Sequence, residues 1–163
     1  MSKVWKAAVV GGIAVMTVVI LQAGATAGAH SRAQLSVAHG ASHRYRLRIA
    51  NTMVGPLLVN QPGYTVFMFN KDRRDDDVCA RIRGCLQQWP AVTTAERLVA
   101  GPGVKRSLLG SIPYRGRLRQ VTYAGHPLHT YKFDYGPGSM MNIGNKQFGG
   151  SWYALDAAAT PIK

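Results

Sequence analysis

Apolar and polar residues alternate in short runs from Arg44 onward, with glycine, proline or asparagine between the runs. Tyr45, Leu47 and Ile49 alternate with Arg44, Arg46 and Arg48, the period of two that a half-buried strand requires. Met53 to Val59 is a further extended stretch, broken at Gly55-Pro56. Pro62-Gly63 places a preset φ before a residue that tolerates positive φ, which predicts a turn between Val59 and Phe67. Val66 to Phe69 is apolar on both faces and reads as a central strand. After a charged loop over Asp72 to Asp77, a short helical turn is expected within Cys79 to Trp89, ended by Pro90. A second helical turn is expected at Thr93 to Ala100, stopped by Gly101-Pro102-Gly103. Ser107 to Ile112, Leu118 to Tyr123 and a final Trp152 to Leu155 read as strands, with a glycine-shaped loop from Tyr135 to Gly150.

Two of these stretches match each other. Val59 to Asp72 reads VNQPGYTVFMFNKD, and Val121 to Asp134 reads VTYAGHPLHTYKFD. Val59/Val121, Gly63/Gly125 and Asp72/Asp134 are identical at an offset of 62, and Val66/Leu128 and Phe69/Tyr131 are conservative pairs. The identities fall where turn geometry and strand alternation need them. The expected fold is therefore mostly β: a single small domain of two related β-hairpin modules with one or two short helical turns.

The first residues change the domain picture. Lys3 and Lys6 precede an apolar run from Ala7 to Leu21, and Ala23, Ala25, Ala27 and Ala29 follow, the pattern of an export signal cleaved between 25 and 29. The alternative is an uncleaved membrane anchor, but fifteen helical residues span only about 22 Å against a hydrocarbon core near 30 Å. Residues 1–29 are thus assigned to a signal peptide, 30–43 to an Ala/Gly/Ser/His-rich lead segment, and 44–163 to the β domain. The expected location is secreted or periplasmic, with no stable span after cleavage.

Charge then narrows the partners. Without Lys3 and Lys6 the chain keeps 18 basic residues against 7 acidic ones, a net charge of +11. Such a surface favours anionic cell-envelope components or another envelope protein. The basic residues are scattered and export removes most nucleic-acid targets, so a nucleic-acid role is disfavoured. Cys79 and Cys85 are the only cysteines, and an even pair in an exported chain is most simply a disulfide.

From Leu57 to Leu155 the chain resembles the bacterial family of secreted repeats of unknown function, predicted lipoproteins with a Y-x-[FWY]-x-x-D motif. Phe67 to Asp72 and His129 to Asp134 stand in the two motif positions. GVKRSLLGSI (Gly103 to Ile112), VTYAGHPL (Val121 to Leu128), NKQFGGSWYAL (Asn145 to Leu155) and a cysteine pair followed by Trp89-Pro90 complete the likeness. Phe67 and His129 replace the motif's first tyrosine, the cysteines are spaced more widely, and the lipobox cysteine is absent. The resemblance implies export and a repeated β domain, and no activity.

Candidate chemistry is sparse. In each motif copy the aromatic positions, Phe67 and Phe69 or His129 and Tyr131, share a strand face, while Asp72 and Asp134 follow at strand ends and are expected to fix turns. Paired catalytic carboxylates would need those two acids to converge in one cleft. His126, His129, Met140 and Met141 form an imidazole–thioether set that suits copper. Asp72, Asp75, Asp76 and Asp77 could offer oxygens to calcium, but lack the EF-hand order and sit among Lys71, Arg73 and Arg74. No nucleophile elbow, Walker loop, zincin helix or dinucleotide fingerprint is present, so no catalytic residue is assigned. The functional expectation is a noncatalytic envelope or extracellular interaction scaffold, with copper-type metal binding as the alternative. Tyr114, Tyr123, Tyr135, Trp89 and Trp152 are the aromatics that could meet a partner, although core roles are favoured for both tryptophans.

Overall fold

The computed structural model describes residues 44–163; the expected signal and lead segments lie outside the described residues. The chain runs β1 (Arg44–Thr52), β2 (Gly55–Val59) and β3 (Phe67–Phe69), then a 3-10 turn at Cys79–Arg81 and α1 (Cys85–Gln88). β4 (Thr93–Thr94), β5 (Arg97–Ala100), β6 (Leu109–Pro113), β7 (Arg119–Tyr123) and β8 (His126–Pro127) follow. β9 (Lys146–Gln147), β10 (Gly150–Leu155) and β11 (Pro161–Ile162) close it. The domain is mostly β, as the alternation requires.

Three small sheets result, ordered β2-β1-β5, β11-β10-β3 with β9 beside β10, and β4-β7-β6 with β8 beside β7. In β1 the alternation works as read: Arg44 and Arg46 face solvent while Leu47 is buried, with Tyr45 and Ile49 packed against the core. Burial pushes the Tyr45 hydroxyl up to about 12.

The helical turn expected at Thr93 to Ala100 is instead β4 and β5. β5 pairs in parallel with β1, Arg44 opposite Arg97 and Leu47 opposite Ala100. The second edge of β1 offers backbone partners that a lone helical turn would forgo, and such tertiary pairing overrides weak local preference. The last expected strand also begins earlier, at Gly150, and is followed by β11. The helical turn before Pro90 is present as the 3-10 turn and α1.

Two turns show how local chemistry sets the strand connections. Asn60 is buried after β2, and its Oδ1 accepts the N–H groups of Gly63 and Tyr64, folding the first turn over Pro62. Between β7 and β8 the two turn residues Ala124 and Gly125 both have positive φ, +51° and +82°. That is the twist a two-residue hairpin needs.

β3 divides the core as its two apolar faces predict. Val66 and Met68 join Leu47, Leu58, Val121, Tyr123, Leu128 and Leu155 on one side. Phe67 and Phe69 join Trp89, Trp152, Cys79 and Cys85 on the other. The second cluster positions the candidate site.

Candidate functional site

His129 is the hub. Its backbone pairs antiparallel with Phe67: the Phe67 N–H donates to the His129 carbonyl at 2.8 Å, and the His129 N–H returns the bond at 2.9 Å. The ring is wholly buried. Nδ1 lies 3.1 Å from the Trp89 carbonyl oxygen, which can only accept, so Nδ1 carries a proton there. Nε2 points the other way, 3.3 Å from Asp72 Oδ2 and 3.8 Å from Asp77 Oδ1.

Both carboxylates are placed by the loop that follows β3. Asp72 Oδ1 accepts the N–H groups of Val78 (2.8 Å) and Cys79 (3.2 Å), which fixes the start of the 3-10 turn. Asp77 Oδ1 accepts the Ala80 N–H at 2.9 Å, while its Oδ2 is buried with no hydrogen-bond partner. The Cys79–Cys85 disulfide then ties the 3-10 turn to α1, with both cysteines fully buried.

An aromatic stack walls the site. Trp89 and Trp152 lie parallel at 4.0 Å, and Phe69 stacks on Trp152 at 4.4 Å. Tyr131 tilts onto Trp89 at 4.6 Å. Phe67 meets Trp89 edge-on at 5.3 Å, and His129 meets Trp152 edge-on at 5.2 Å. The Trp89 indole N–H donates to Gln147 Oε1 at 2.7 Å, so the ring is satisfied as well as packed.

Of the residues singled out from the sequence, some converge here and others do not. Phe67, Phe69, His129 and Tyr131 do line one aromatic cluster, and Asp72 and Asp134 do fix turns. Asp134 Oδ1 accepts from the Ser139 hydroxyl (3.0 Å) and the Asn142 amide (2.8 Å), partners that Asp72 does not share. Burial pushes the Asp134 carboxyl above the usual carboxylate range, and those two bonds oppose the rise only in part. His129 turns its nitrogens to Trp89, Asp72 and Asp77, whereas Met140 and Met141 border a surface hollow with Tyr135, and Met141 is 78% exposed. His126 sits on β8, where burial and Arg74 hold its imidazole below the ordinary histidine range.

The acidic loop divides its labour. Asp76 forms a two-pronged bond with the Arg81 guanidinium at 2.7 and 2.9 Å, which lowers its pKa, and Asp75 faces Arg74 at 3.9 Å. Only Asp72 and Asp77 turn inward. Of the aromatics considered for partner contact, Trp89, Trp152 and Tyr123 are buried, while Tyr135 is 90% exposed. The Tyr123 hydroxyl accepts from the Lys105 N–H and donates to the Ala157 carbonyl, so its polar end is spent inside the fold. The sequence offers Asp77 only as one of four candidate calcium ligands, and it does not offer the Trp89 carbonyl. A run of aspartates does not reveal which one points inward, and a backbone oxygen carries no side-chain signature.

An Asp–His pair invites an acid–base reading, but this imidazole has both nitrogens engaged and no exposed edge. A general base needs a nitrogen within reach of a substrate proton. The site as built holds structure together and offers oxygen and nitrogen donors inward. No protein-family model, curated protein or solved structure matches this chain.

Proposed function

We infer that this chain is an exported, noncatalytic envelope or extracellular protein, an interaction scaffold of two related β modules that docks on an anionic component through its basic surface. The observation that carries this reading is the fate of the acids. Asp72 and Asp77 face His129, and Asp134 is held by Ser139 and Asn142. Asp156 accepts the N–H groups of Ala158 and Thr160, and Asp76 is taken by Arg81. With Asp75 facing Arg74, six of the chain's seven acids are thereby committed to the fold or to a local pair. The cationic excess is left to face solvent.

Arg44, Arg46 and Arg48, with Gln61, line a surface hollow of about 330 Å³ on the outward side of β1. The formed disulfide fits an oxidising compartment. Among the described residues no helix is long and apolar enough to cross a membrane. The copper-type alternative through His126, His129, Met140 and Met141 draws less support, because His129 directs both nitrogens elsewhere.

The test is co-sedimentation with phosphatidylglycerol vesicles, with phosphatidylcholine vesicles as the neutral control. Binding to the anionic vesicles alone is expected, falling steeply as salt shortens the screening length from roughly 30 Å at 0.01 M to about 8 Å at 0.15 M. Replacing Arg44, Arg46 and Arg48 by Gln should weaken it further. Equal binding to both vesicle types, or binding indifferent to salt, overturns the reading.

A further inference from the structure

We propose that Asp72, Asp77 and His129 form a divalent-metal site of zinc type, distinct from the His/Met set considered above. Three independent features point to it. The first is the imidazole's orientation: Nδ1–H is anchored on the Trp89 carbonyl, leaving Nε2 to face two carboxylates. Metal-binding histidines are held in this way, by a carbonyl at the far nitrogen that fixes the tautomer and aims the near one.

Distance is the second. Ligands about 2.1 Å from a tetrahedral ion stand roughly 3.4 Å from one another. Asp72 Oδ2 and Asp77 Oδ1 lie 3.3 and 3.8 Å from Nε2, so each carboxylate already stands at about ligand spacing from the imidazole.

The third is an unmet demand. Asp77 Oδ2 is buried without a hydrogen-bond partner, and the Asp77 side chain is only 6% exposed. Two buried carboxylates beside one imidazole have no direct cationic partner, because the adjacent Arg81 is exposed and makes its ion pair with Asp76. Buried charge of this kind is costly unless paired or coordinated. A divalent cation would satisfy the orphan oxygen and both charges together.

The donor set selects the ion. One imidazole and two carboxylates suit zinc better than the soft copper state that thioethers favour. Cys79 Sγ lies within 4.8 Å of the Asp77 and His129 donor atoms, but bridged to Cys85 it is no thiolate. Asp77 also lines a surface hollow of about 460 Å³ with Ala80, Arg81 and Gln120.

The experiment is zinc titration by calorimetry on protein whose disulfide is intact. One saturable site per chain is expected. Asp77→Asn should weaken it roughly tenfold or more, the scale seen even when only a supporting residue of a metal site is changed. That variant keeps an Oδ1 acceptor for Ala80, and near-UV circular dichroism of the Trp89–Trp152 stack checks its fold. Met140→Leu with Met141→Leu should leave affinity unchanged. X-ray absorption of the zinc-loaded wild type supplies a readout independent of any variant: nitrogen and oxygen neighbours with an imidazole signature are expected. A sulfur neighbour near 2.3 Å, binding that appears only after reduction, full affinity in Asp77→Asn, or no saturable site would each overturn the proposal.

Discussion

Phe67 and His129, 62 positions apart, exchange both of their backbone hydrogen bonds across one antiparallel pair. A reciprocal pair of this kind has a local two-fold axis. The surroundings follow it: Asp72 N–H donates to the Phe69 carbonyl, and Asp134 N–H donates to the Tyr131 carbonyl, again at an offset of 62. Phe67 is edge-on to Trp89 as His129 is to Trp152, and the two indoles stack on each other. Phe69 covers Trp152 while Tyr131 covers Trp89. The correspondence breaks at one place. Asp72 Oδ2 meets the imidazole of His129, whereas Asp134 Oδ2 is buried without a hydrogen-bond partner.

That asymmetry makes Asp134 a stability handle with a defined pH sign. Its folded pKa is raised above 3.8, chiefly by burial, so its contribution is fully present below about pH 3.8 and is lost as pH rises through the folded value. Asp134→Asn should therefore raise the thermal midpoint at pH 7, with the difference closing toward pH 3. Carbon-detected NMR titration of the Asp134 carboxyl measures the raised pKa, and a value within the ordinary carboxylate range would overturn the prediction.

His126 has the opposite dependence. Burial, with help from Arg74, holds its folded pKa below 6.5 against the pull of Asp72. Stability from the neutral ring is present above pH 6.5 and is lost as pH falls through the lowered folded value. Urea midpoints measured from pH 7.5 down to 5 should fall for the wild type, and fall less steeply for His126→Gln.

The disulfide closes a short loop, Cys79 to Cys85. Chain entropy assigns such a loop about 2 kcal/mol. Changing both cysteines to Ala should cost at least that, since both are fully buried. Equilibrium urea unfolding with and without reductant gives the figure, and the double variant should lose its sensitivity to reductant.

Trp152 touches Trp89, Phe69 and His129 and has no exposed surface. Trp152→Ala should cost about 3–5 kcal/mol, the usual range for removing a buried large aromatic. Trp152→Phe should cost less, because a ring remains to stack on Trp89. Denaturant unfolding followed by far-UV circular dichroism, which does not depend on the lost indole, ranks the two.

The sequence by itself determined the β class, the strands carried by strict alternation, the Cys79–Cys85 pairing and the core roles of Trp89 and Trp152. These rest on local periodicity and on the few ways a small domain can bury large rings. Tertiary structure decided what locality cannot encode. Thr93–Thr94 became a strand against β7 and Arg97–Ala100 one on the open edge of β1, and Asp77 turned inward while its neighbour Asp76 took Arg81. Most of all, His129 left the methionines for Asp72 and the Trp89 carbonyl. Those partners lie 57 and 40 residues away in sequence, and the pairings of His129 with Phe67 and with Ala91 bring them to one ring.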